Sequence, residues 1–170
     1  MARLGFVDQT ELARWADSRE SAGDLPRLMR RLILETGHGI VRLGFPAGEG
    51  IATGSWDGTV RATQATAFIP AELSLWELSV EKSANTKADK DYAKRPVTSD
   101  GSPPENCTYV AVSLRRWVKR LEWARAKSSE GRWKSVLAYG VDDLETWLES
   151  APITHAWLSE LLGFHPHGLL

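Results

Sequence analysis

The clearest pattern in the chain is a run of apolar positions at helical spacing. Leu25, Leu28, Met29, Leu32 and Ile33 recur at i, i+3, i+4, i+7 and i+8, the stripe of a helix with one buried face. Asp24 before Pro26 suits its start, and Gly37 and Gly39 suit its stop. A shorter helix precedes it, with Thr10 as the candidate cap and Leu12, Trp15 and Ala16 on one face. The pattern then changes to alternation. Residues 40–45 read as a strand, 46–50 (PAGEG) as a turn, and 51–56 and 59–65 as paired strands around Asp57 and Gly58. Residues 74–80 predict a further strand, with Leu75, Trp76, Leu78 and Val80 apolar. Residues 82–95 are polar and predict a short helix near 87–94, and 96–106 (PVTSDGSPPEN) predict a surface loop.

The last third reads as strand, helix, strand, helix, helix. Strands fall at 108–112 and 134–139. Helices fall at 116–128, with Trp117, Leu121 and Ala124 on one face, at 142–148 behind Asp142 or Asp143 as cap, and at 153–162 with Trp157, Leu158, Leu161 and Leu162. Strands alternating with helices at this spacing predict an α/β layered domain. At 170 residues the chain suits a single domain, 1–170, with one contiguous core. The ending GFHPHGLL has no polar tail and suggests a domain cut from a longer multidomain protein.

Composition narrows the chemistry. One cysteine, Cys107, excludes an internal disulfide and a thiolate-only zinc cage, and it fits a reducing cytoplasm. The four histidines, His38, His155, His165 and His167, do not fall at metal-ligand spacing. PAGEG and GSWDG lack the lysine and following helix of a nucleotide-binding loop. No run of about 18 apolar residues predicts a membrane span. The net charge is −1, so the chain is not a general polycation, but its charge is unevenly placed. Between Arg115 and Lys134 lie eight Lys or Arg against two acidic residues. After Lys134 there is no Lys or Arg, while Asp142, Asp143, Glu145, Glu149 and Glu160 follow. One reading is a basic face for an anionic polymer, and the other is two solvated helix faces.

Two carboxylates stand out. Asp57 lies at a turn between apolar runs, and Glu77 lies inside a run that otherwise reads as a buried strand. A carboxylate at such a position needs a partner, since an unpaired buried charge costs several kcal/mol. Two carboxylates from adjacent strands can share a hard divalent cation. Ser79 shares the face of Glu77, while Trp76, Leu78 and Val80 point into the core.

An Asp near a strand end, followed some twenty residues later by Glu-x-Lys in the next strand, is the signature of the PD-(D/E)xK nucleases, and the chain resembles it at Asp57 and Glu77. The segments WDGTVRA, FIPAELSLWELSVEKSANTKADKDYAKR and WARAKSSEGRWKSVLAYGVDDLETWLESAP resemble the N-terminal nuclease-type domain of large bacterial, NTPase-linked antiphage defence proteins, over about Trp15 to Leu162. The resemblance implies a restriction-endonuclease-like three-layer core with a central mixed sheet flanked by helices. It also implies a metal-dependent endonuclease of double-stranded DNA, with Asp57 and Glu77 holding Mg²⁺ or Mn²⁺. The family's lysine position is occupied here by Ser79; Lys82 looks like its substitute, and Lys87 is a second candidate. For the acidic residue that this fold supplies from an early helix the candidate is Glu20, with Glu35 as an alternative, and Glu49 in the PAGEG turn is a further option near the site. Candidate DNA contacts are Lys87, Arg95, Arg115, Arg116, Lys119 and Arg120. Activity is expected to depend on homo-oligomerisation through the parent protein, which would carry NTPase or sensor domains. The competing reading is a catalytically degenerate nucleic-acid-binding or protein-interaction module of the same fold.

Overall fold

In the computed structural model the described residues are 7–46, 56–94 and 102–164. They form helices α1 (Gln9–Trp15) and α2 (Ser21–Thr36), strands β1 (Ile40–Gly44), β2 (Gly58–Ala62) and β3 (Glu72–Ser79), helix α3 (Ala84–Lys94), strand β4 (Thr108–Ser113), helix α4 (Arg120–Ser128), strand β5 (Ser135–Tyr139), and helices α5 (Val141–Glu149) and α6 (Pro152–Leu161). The five strands lie in chain order across one sheet. The β1–β2 and β2–β3 pairs are antiparallel, whereas β4 and β5 continue parallel to β3. Each parallel step needs a crossover, which α3 and α4 supply.

Both faces of the sheet are covered. Trp76, Val60, Val110, Val112 and Tyr139 pack under the layer of α1, α2, α5 and α6. Leu73, Leu75, Tyr109, Ala111 and Val136 pack under α3 and α4, together with Trp56, Trp117, Trp123 and Trp133. This is the three-layer α/β architecture with a mixed central sheet that the alternation of elements predicts. The face opposite Trp76 is therefore a second core, not a solvated one. Among the described residues no helix is long and apolar enough to cross a membrane.

Several boundaries differ from the sequence expectation, each for a local reason. Asp8, not Thr10, caps α1, accepting the Glu11 N–H at 2.9 Å. α2 starts at Ser21, upstream of Asp24, so Pro26 lies inside the helix and Asp24 pairs with Arg27 at 2.9 Å. Helix α4 starts at Arg120, not near 116, and buries Trp123 and Ala124, leaving Leu121 66% exposed. β2 is flanked by β1 and β3, so both of its edges are taken. Of the expected partner strand 51–56, residues 51–55 lie outside the described residues.

The junction of α2 and α6 carries a titratable contact. Both carboxylate oxygens of Glu35 cap the start of α6, accepting the N–H groups of Ile153 (3.0 Å) and Thr154 (2.7 Å). Burial alone would raise the Glu35 carboxyl, but these donors outweigh it and hold it below its ordinary value of 4.5. A depressed acid stabilises the folded state above its unfolded pKa and loses that contribution as pH falls through the folded one. Glu35→Ala is therefore expected to cost about 1 kcal/mol at neutral pH. The gap between wild type and variant should close in urea melts taken below the ordinary carboxylate range. A gap that persists unchanged there would assign the loss to packing instead.

Candidate active site

Asp57 and Glu77 are brought together by strand register. The antiparallel β2–β3 ladder ends at the Gly58–Trp76 pair, which brings Asp57, just before Gly58, beside the stretch of β3 that carries Glu77. Glu77 lies on the face of β3 roofed by α3, opposite the Trp76 side. Asp57 Oδ2 accepts the Leu78 backbone N–H at 2.8 Å, which fixes the carboxylate against β3 and leaves its second oxygen for another partner. Gly58 is required here: a Cβ at that position would come within 2.1 Å of the Phe45 ring, which lies across the strand.

Glu77 is only 6% exposed. With Ser79 it lines a cavity of about 10 Å³ closed by Ala84, Ala88 and Asp91 of α3, Ser113 of β4, and Trp117. A space of that size admits about one water or ion. Ser79 pairs with Ser113 in the parallel β3–β4 register, and its Oγ accepts the Glu81 N–H at 3.1 Å.

The two lysine candidates separate. Lys82 is exposed, and the electrostatic influence assigned to it falls on Asp17 of the α1–α2 connection. Lys87 lies on α3, with its Nζ 2.8 Å from Asp91 Oδ1. The hydrogen bond that Lys87 donates to Asp91 raises its pKa against the lowering effect of burial, and the charges of Asp91, Glu81 and Glu77 add to the rise. Lys87 is thus a firmly cationic group within the field of Glu77, suited to orienting an anion and poorly suited to accepting a proton.

The remaining candidates are scattered. Glu20 is exposed ahead of the first turn of α2, without a side-chain capping hydrogen bond. Glu35 is engaged at α6, on the other side of the sheet. Arg115 donates to the Val80 carbonyl (2.8 Å), the Ala16 carbonyl (3.2 Å) and Asp17 (2.7 Å), tying the end of β3 to the end of α1. Asp17 responds: the Arg115 hydrogen bond and charge hold its carboxyl below the ordinary range. Arg120 grips Asp143, with its Nε 2.6 Å from Oδ2. Both guanidiniums therefore serve internal joints. Arg116 and Lys119 are exposed and line an open groove with Ser83, Asn85, Thr86 and Val118. Ala84 and Trp117 wall both this groove and the cavity of Glu77. Arg95, Glu49, His165 and His167 lie outside the described residues.

Asp91, Ser113, Asn85 and Trp117 complete this surrounding and were not expected there. Asp91 carries a local signal, since it falls four residues after Lys87, the spacing of an ion pair on one helix face. Ser113 carries none, because only the parallel register places it beside Ser79.

Two carboxylates without imidazole or thiolate are the kind of donors a hard cation such as Mg²⁺ takes, completing its shell with water and phosphate. No group of three or more His, Cys, Asp or Glu at metal-binding spacing occurs among the described residues. Comparison of the chain with protein-family models, with curated proteins and with solved structures finds no match.

Proposed function

We propose that the chain is a metal-dependent nuclease module of the PD-(D/E)xK type, in which Asp57 and Glu77 hold Mg²⁺ or Mn²⁺ and double-stranded DNA is the substrate. What supports this reading is the β2–β3 pairing, whose last pair, Gly58 with Trp76, brings the flanking Asp57 and Glu77 together at one end of the ladder. When bound, the cation would supply Lewis-acid stabilisation of a cleaved phosphodiester and a more acidic bound water. Asp57 is held in place by the Leu78 N–H, so its orientation is set before any ligand arrives. The role of holding a phosphate oxygen is assigned to Lys87 rather than Lys82, supported by the charge of Glu77 acting on Lys87. Arg116 and Lys119 would hold the backbone phosphates next door, without reading bases. The wider context carried by the resemblance is a cytoplasmic effector domain of a bacterial defence protein whose parent chain supplies NTPase or sensor domains.

The roof over Glu77 favours a second reading. A cavity with room for about one water cannot admit a phosphodiester unless α3 shifts, so a non-catalytic nucleic-acid-binding module of the same fold is the alternative.

The purified chain, incubated with supercoiled plasmid and Mg²⁺ or Mn²⁺, is expected to nick it, and EDTA is expected to stop the reaction. Within that assay Lys87→Met should lower the rate by about a hundredfold or more, in the range of a lost electrostatic contact to a transition state. Lys82→Met should leave it within a fewfold. The reverse ranking would move the lysine role to Lys82. Metal-independent nicking, or none while plasmid still binds, would favour the second reading.

A further inference from the structure

The cavity beside Glu77 and the groove of Arg116 and Lys119 share a wall. Ala84 and Trp117 line both. The cavity, about 10 Å³, is closed by Ala84, Ala88 and Asp91 of α3 together with Ser113 and Trp117. The groove, about 220 Å³, is open, and Ser83, Asn85 and Thr86 line it at the start of the same helix. The first half of α3 therefore stands between a buried carboxylate and two exposed cations.

The two halves of α3 are held differently. At the second half the Trp123 indole N–H donates to Asp89 Oδ1 at 2.8 Å, and Lys127 Nζ lies 3.4 Å from the same oxygen. Tyr92, 3% exposed, meets the Tyr109 and Trp123 rings edge-on at 5.1 and 5.9 Å, and Lys127 lies over its ring at 5.1 Å. The first half buries Ala84 and Ala88, whose methyl groups remove far less apolar surface from water than an aromatic ring does. Its tie to the next layer is polar: the Trp117 indole N–H donates to Asn85 Oδ1 at 3.0 Å. Lys87 stands in this half as well, within the field of Glu77. The chain leading in, Glu81, Lys82 and Ser83, is exposed, and Arg115 fixes the Val80 carbonyl just before it at 2.8 Å. Small buried side chains and an exposed connection mark the segment of a fold that opens locally.

We propose that the first half of α3 is a lid over the Glu77 cavity, latched by the hydrogen bond between Trp117 and Asn85 and hinged at residues 81–83, with Asp89 and Tyr92 as its fixed end. Lifting the lid takes Ala84 and Ala88 away from Glu77 and Ser79 and joins cavity and groove into one cleft. Arg116 and Lys119 then border the same space as Glu77. The closed form has room for about one water, so a hydrated cation or a phosphate-bearing strand reaches Glu77 through the open form. The apparent affinity of such a ligand is reduced by the fraction of molecules that are open. Whatever moves α3 outward therefore raises activity without touching the carboxylates. That consequence rests on the nuclease reading; the opening itself does not, and it is measured without catalysis.

A thiol placed in the cavity reads the opening. Ser113 lines the cavity and is 2% exposed, and Cys107 is the chain's one cysteine, so Ser113→Cys with Cys107→Ala gives a full chain with a single buried thiol. Its labelling by methyl methanethiosulfonate is expected to depend little on low urea, because a local opening exposes little surface, whereas labelling through global unfolding rises steeply with urea. Adding Asn85→Ala should speed labelling by about fivefold, the effect of one lost hydrogen bond. Asn85→Asp keeps an acceptor for the indole N–H and should stay within about twofold of the parent. Thermal melts confirm that each variant is folded, and Ser79→Cys, in the same cavity, replaces Ser113→Cys if that change disturbs β4. Labelling that tracks global unfolding overturns the lid, as does labelling that ignores Asn85→Ala or is equally fast in Asn85→Asp and Asn85→Ala. In the plasmid assay Asn85→Ala should raise nicking in parallel. Faster labelling without nicking keeps the lid and counts against the nuclease reading; faster nicking without faster labelling overturns the lid.

Discussion

Glu77→Gln abolishes metal-dependent cleavage while leaving the fold intact: that is the expected result on the proposed reading, with a loss of about a thousandfold or more, equivalent to at least about 4 kcal/mol of transition-state stabilisation. The substitution keeps the volume of the side chain, removes its charge and turns one acceptor oxygen into an NH₂ donor. Glu77 is 6% exposed, so thermal melts without metal accompany the assay to check that the variant keeps its fold. Calorimetric titration with Mn²⁺ should show binding to the wild type and little to the variant. Asp57→Asn is the companion change, since its amide oxygen can still accept the Leu78 N–H that Asp57 accepts at 2.8 Å. It tests the ligand role with the joint to β3 preserved. Full cleavage by Glu77→Gln would remove this residue from the site, whatever the domain does.

Trp76→Ala is expected to carry the largest stability loss, about 3–5 kcal/mol. Trp76 is fully buried on the α2–α5 side of β3. Its indole N–H donates to Ser74 Oγ at 2.8 Å, and its ring meets Phe45 edge-on at 5.8 Å, with Tyr139 and Trp147 beyond. Truncation would leave a cavity between α2, α5 and the sheet and strip three aromatic rings of a shared neighbour. Urea denaturation measures the loss, and a cost below about 1 kcal/mol would mean that the surrounding helices close over the space. The change bears on the site as well. Trp76 is the residue paired with Gly58, so repacking there disturbs the strand pairing beside Asp57 and Glu77.

Much of the fold is legible in local patterns. The stripe of Leu25, Leu28, Met29, Leu32 and Ile33 predicts α2, and all five are buried. Short β-rich runs predict β4 and β5, and both are interior-facing strands flanked by helices. Helix starts were harder. Nothing local tells that α4 waits until Arg120, because residues 114–119 are held by tertiary contacts: Arg115 by Val80, Ala16 and Asp17, and Trp117 by Asn85. The candidate site shows the same division. Asp57 and Glu77 stand out as a pair by spacing, yet what brings their strands together is the β2–β3 pairing, and what sets Lys87 in the field of Glu77 is its position on α3.

The basic segment shows most clearly why composition stops short of function. Arg115, Arg116, Lys119 and Arg120 read alike as a positive patch. In the fold Arg115 and Arg120 are bound to internal carbonyls and carboxylates, and Arg116 and Lys119 remain at the surface. The sequence by itself determined the periodic elements and the α/β class, because a hydrophobic repeat is a property of neighbours a few residues apart. Only the tertiary structure decided which charges are left over, which lysine lies near Glu77 and that a second core roofs it. Those outcomes depend on contacts between residues tens of positions apart, where no local spacing constrains the partner.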